Sequence, residues 1–93
     1  MISTARATTA SGRRYMIQLC KHWGHKYEVA FDETSGRIAL PVGPLTMAAD
    51  ETGLTLTLDA SPESLDRIEG VVTEHLNRFA FREPFALDWV RAE

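Results

Sequence analysis

One cysteine, Cys20, in a chain of 93 residues leaves no internal disulfide to form. The fold must rest on packing and hydrogen bonds, as suits a reducing compartment. The chain also lacks any run near the ~20 consecutive apolar residues of a membrane span. Its opening stretch, MISTARATTASGRR, has no apolar centre of the kind found in secretory signals. These absences set the expectation of a cytoplasmic protein with no membrane partner. Low-complexity tracts are missing too, and 44% hydrophobic with 25% charged residues is an ordinary globular composition. The length permits one domain, residues 1–93, on a modest core, since domains of roughly 60 residues already fold alone.

Acidic residues are absent from residues 1–27, which carry Arg6, Arg13, Arg14, Lys21 and Lys26, a charge of +5. The remaining residues carry five basic and thirteen acidic groups, a charge of -8, for a total of -3. A basic first quarter suits a small anion or the acidic part of a second subunit. Nucleic acid is not an expected partner, because a phosphate-binding surface normally dominates a domain's charge.

Strand and helix periods alternate along the chain. Residues 2–8 read as a strand, and Tyr15, Met16, Leu19 and Trp23 recur at helical spacing over 12–23, with Gly24 as an expected left-handed cap. Four segments of period two follow: Tyr27, Val29, Phe31; then Ile38, Leu40; then Leu45, Met47, Ala49; then Leu54, Leu56, Leu58. Ser61 as N-cap and Pro62 in the first turn open a second helix over 62–80, with Leu65, Ile68, Val72, Leu76 and Phe79 as its apolar stripe. Phe85, Leu87 and Trp89 alternate as a candidate last strand.

The order β-α-β-β-β-β-α, with or without a final β, implies an α+β two-layer sandwich: an antiparallel sheet with two helices on one face. Its topology resembles the single repeat of the TATA-binding-protein type of fold, a likeness that carries no function. The outward set of the meander, among it Glu28, Arg37, Ala39, Thr46 and Thr57, is small and polar. Such a face meets solvent, a second copy in a sheet-to-sheet homodimer, or a ligand on a shallow surface.

The stretch LCKHWGHK gathers Cys20, His22 and His25 within six positions, which raises the question of a metal. At about 100° per residue, Cys20 and His22 fall on opposite flanks of the apolar stripe, about 160° apart, so they do not readily share one ion. A closed zinc site wants four ligands, and the chain offers one cysteine and three histidines in all. Cys20 therefore reads as a small buried hydrophobe, and whether any metal binds is left open. Lys21, His22, His25 and Lys26 sit where a helix C-terminus favours cations. His75, between Val71 and Phe79 at four-residue spacing, falls inside the apolar arc of the second helix. With both helices on one face, His22 and His75 meet in the groove between them. Tyr15, His25 and Arg78 are expected on its rim, with Lys21 nearby.

The stretches YMIQLCKHWGHKYEVAF and VVTEHLNRFAFREPFALDW resemble the bacterial domain of unknown function 2218. Its Cys-x-His-x-x-His-Lys pattern falls on Cys20, His22, His25 and Lys26. Its His-Leu-x-Arg-Phe-x-Phe-Arg-Glu pattern falls on His75, Leu76, Arg78, Phe79, Phe81, Arg82 and Glu83. The resemblance brings no activity and no cofactor. It does imply an association with siderophore-interacting flavin reductases, and so with iron utilisation. The expectation is a binding domain that captures a metal chelate or small anion in a His/Arg-lined groove. The alternative is a structural module that dimerises or docks on a redox partner. An acid-base enzyme is disfavoured, since no nucleophile-base-orienter set is legible.

Overall fold

The computed structural model describes residues 1–92. Its elements are β1 (Ile2–Thr8), α1 (Gly12–Trp23), β2 (Val29–Phe31), β3 (Ser35–Leu40), β4 (Gly43–Ala49), β5 (Gly53–Asp59), α2 (Pro62–Phe79) and β6 (Val90–Ala92). The strands form one antiparallel sheet in the order β2-β3-β4-β5-β1-β6. The expected two-layer α+β sandwich is the observed architecture.

Alternation dictates the sheet's two faces. Ala5, Ala7, Ile38, Leu45, Met47, Leu54, Leu56 and Leu58 are buried against the helices, while Arg6, Arg37, Thr46 and Ala48 stand outside. Each fully buried Leu or Ile contributes about 1.5–3 kcal/mol of burial free energy. Two turns repeat the tripeptide Asp-Glu-Thr at 32–34 and 50–52. In both, the Asp carboxylate accepts backbone N–H groups, from Thr34 and Ser35 and from Thr52 and Gly53. Hydrogen bonds favour the ionised form and hold both carboxyls low: the Thr34 and Ser35 N–H groups for Asp32, and for Asp50, at about 2, the Thr52 hydroxyl first and then its N–H.

Helix α1 seats directly on backbone. A Cβ on Gly12 would stand 2.7 Å from the Gly53 carbonyl oxygen, and one on Gly36 would stand 3.1 Å from the Cys20 Sγ. Its far end differs from expectation: Gly24 is right-handed (φ -60°), not a left-handed cap. The chain keeps winding, with Lys26 and Tyr27 N–H groups both donating to the Trp23 carbonyl, so the terminal carbonyls find partners without a reversal of hand. Tyr27 thus belongs to the turn, and the second strand begins at Val29. Phe31, expected inside, is 44% exposed, because it pairs with Gly36 on the edge strand.

Helix α2 begins as expected, the Ser61 hydroxyl accepting from the Ser64 N–H with Pro62 at the first position. After it, Phe85, Leu87 and Trp89 are half-buried but are not a strand; pairing with β1 begins at Val90. The segment instead runs antiparallel along α2 as a strap held by side chains. The Asn77 amide exchanges two hydrogen bonds with the Phe85 backbone (2.8 and 2.9 Å), and the Trp89 indole donates to the Thr73 hydroxyl at 3.0 Å. Arg91 donates to Glu69 and Asp66. Glu69 also accepts from the buried Ser3 hydroxyl at 2.5 Å, linking α2, β1 and β6. These donors hold the Glu69 carboxyl below its usual range, Arg91 first.

Two glycine substitutions are expected to act in opposite directions in urea unfolding. Gly12→Ala must push α1 off β5 and should cost about 1–3 kcal/mol. Gly70→Ala, on α2 with nothing within 4 Å of the new methyl, should stabilise by about 0.5–1 kcal/mol.

Candidate functional site

The ends of the two helices bring His22 and His75 together. Their rings lie 5.3 Å apart, centroid to centroid, tilted by 48°. His75 also lies over Trp23 at 4.8 Å and 34°, and His22 meets Phe79 edge-on at 6.0 Å. Helical spacing builds this cluster: Val71, His75 and Phe79 line one stripe of α2, and His22 and Trp23 close the last turn of α1. His22 is exposed and His75 half-buried.

The His75 Nδ1 is 2.8 Å from the Val71 carbonyl oxygen. A carbonyl only accepts, so Nδ1 carries the proton and the neutral ring presents Nε2 as a bare acceptor. This is the way a ligand-binding imidazole is commonly oriented from behind. For His22, whose ring is partly desolvated by His75 and Phe79 although the residue is exposed, that desolvation lowers the pKa first, followed by the positive charges of His75, Arg78, His25 and Lys26. Arg78 is tied to Glu74 by a one-turn ion pair of 2.7 Å. Neither imidazole forms an ion pair with a carboxylate among the described residues.

The other sequence-expected members lie elsewhere. Tyr15 is not on this rim. It is buried two turns earlier on α1, with its hydroxyl donating to Glu83 at 2.6 Å and its ring edge-on to Phe85. That bond, then burial, raises its pKa. Lys21 and His25 are exposed and border a separate depression toward β2, although the charge of His25 reaches His22. Cys20 is 1% exposed, packed over Gly36, and burial pushes its thiol up to about 11. Among the described residues no three His, Cys, Asp or Glu side chains are grouped to hold a metal ion.

Sequence reasoning missed a cleft that adjoins the pair. Its volume is about 460 Å³, and Trp23, Tyr27, Leu40, Ile68 and Val71 line it. The four-residue spacing of Arg67, Val71 and His75 is the signal that could have located its α2 wall.

Two outcomes follow. Cys20→Ser should cost about 1–2 kcal/mol and Cys20 should resist thiol reagents until the protein unfolds, as read by titration with and without denaturant. The depressed folded-state pKa of His22 means that the unfolded chain binds more protons just below the ordinary histidine value. Stability in urea should therefore rise with pH through that window and level off above about 6.5. The rise should be smaller in His22→Gln.

A family described as uncharacterised proteins conserved in bacteria, domain of unknown function 2218, matches residues 4–90. The NMR structure of PA4090 from Pseudomonas aeruginosa is similar to this chain at 34% identity and a TM-score of 0.82, covering 99% of this chain and 97% of the other. None of the curated proteins matches. No helix among the described residues is long and apolar enough to cross a membrane. With the matched region taking in both helices, the His22–His75 pair and strands β2–β5, the chain belongs to the domain of unknown function 2218 family.

Proposed function

We propose that this domain binds a small anion or an anionic metal chelate at the His22–His75 pair. One observation carries the reading: the His22 and His75 imidazoles are held 5.3 Å apart, His75 over Trp23, with no carboxylate paired to either among the described residues, and His22 lies inside the field of Arg78, His25 and Lys26. These positive neighbours disfavour protonation of His22, and an external anion relieves the repulsion. The same positive field opposes a bare dication, which would also face only two imidazoles, too few for a closed site. Ferric chelates are the first ligands to try, given the link to iron utilisation that the family resemblance implies.

A second reading rests on the uncovered sheet face, where Val90, opposite Thr4, is 67% exposed and Ile2 is 38% exposed. It makes this face a contact between two copies in the cytoplasm, and sedimentation equilibrium would detect the dimer.

Histidine NMR titrations with phosphate, ferric citrate and zinc chloride at pH 5.5 and 7.5 test the first reading. An anion prefers protonated imidazoles, so phosphate and ferric citrate should bind more tightly at the lower pH and shift both ring signals. Zinc competes with protons and should bind better at the higher pH. His22→Gln with His75→Gln should weaken anion binding about tenfold, or about 1.4 kcal/mol. The reading fails if neither ring responds to either anion, or if zinc alone is bound.

A further inference from the structure

The cleft beside the histidine pair has features that the pair does not use. Trp23, Tyr27, Ile68 and Val71 line it, together with Pro41 and Val42 of the β3–β4 turn. A volume of about 460 Å³ falls within the range of small-molecule sites, which is about 300–1,000 Å³. Val42 is 42% exposed, a large apolar side chain left in solvent at the edge of an apolar hollow.

Polar groups line the same cleft: Arg67, Glu63 and Ser64, all on α2. Arg67 forms no ion pair among the described residues, although Glu63 stands one helical turn before it. Glu63 is in the first turn of α2, where the helix N-terminus stabilises its negative charge. Glu63 forms no ion pair among the described residues either, so both charges of the cleft are open to a ligand, and the planar fork of the guanidinium matches a carboxylate.

We propose that this cleft is a binding site for an organic carboxylate with an aromatic body, the ring against Trp23, Ile68 and Val71 and the carboxylate on Arg67. Charge complementarity selects an acid over its neutral counterpart, and the apolar wall selects an aromatic acid over a small inorganic anion. The site goes beyond the histidine reading, since it takes a different ligand on different residues and shares only the Trp23 side chain with the pair.

The test is a ¹H–¹⁵N NMR titration with 2-naphthoate, using neutral 2-naphthamide as the control. Trp23 and Trp89 give separate indole N–H signals, and Trp89 is bonded to Thr73 away from the cleft. The Trp23 indole and the Ile68 and Val71 amides should shift saturably with 2-naphthoate, the Trp89 indole should stay in place, and 2-naphthamide should bind about tenfold more weakly. Arg67→Gln should weaken 2-naphthoate by about the same factor and leave 2-naphthamide unchanged. In the His22→Gln/His75→Gln variant 2-naphthoate binding should persist, so the cleft and the histidine reading stand or fall separately. A stationary Trp23 signal, equal shifts at both indoles, undiminished 2-naphthoate binding by Arg67→Gln, or its loss in the double histidine variant would each overturn the proposal.

Discussion

Everything on the helical side of this domain depends on how closely α1 approaches the sheet. At Gly12 the helix meets the backbone of Gly53, and at Gly36 the strand offers no side chain beneath Met16 and Cys20. Contacts of this kind leave little freedom in the height or rotation of the helix. With α1 held at two points, its last turn has to carry Trp23 inward and His22 sideways, toward α2. The histidine pair is therefore a product of core packing, and its position owes little to loops.

Much of this is legible in the amino-acid sequence. Helical spacing places His22 beside the apolar stripe of α1 and His75 within that of α2, and two helices on one face have to bring them near each other. The same projection misplaces Tyr15 because it gives an angle around the axis and no position along it: seven residues amount to about 10 Å. That displacement takes Tyr15 to Glu83 and Phe85, at the far end of the groove. Lys21 shares the last turn with His22 but stands on another flank. Gly24 misleads for a different reason, since the peptide N–H groups of Lys26 and Tyr27 satisfy the end of the helix without it.

The cleft escapes sequence reasoning for a topological reason. Its wall combines Leu40, Pro41 and Val42 with Tyr27 and with α2, segments that become neighbours only after the sheet is assembled. No local pattern encodes a space between three segments. Phe85, Leu87 and Trp89 present the opposite case: their alternation is real, and it marks a half-buried extended segment, but a period of two does not say whether the backbone pairs with a strand or a helix side chain.

That strap gives the domain an internal hierarchy. Between Phe81 and Trp89 its hydrogen bonds to α2 are made through single side chains, Asn77 and Thr73, rather than through a ladder of peptide groups. Breaking an isolated side-chain clamp requires less concerted disruption than opening a strand within the sheet. That stretch therefore relies on side-chain clamps and on the packing of Phe85, Leu87 and Trp89, and backbone pairing resumes only at β6. Amide exchange is expected to rank this stretch below the meander in protection.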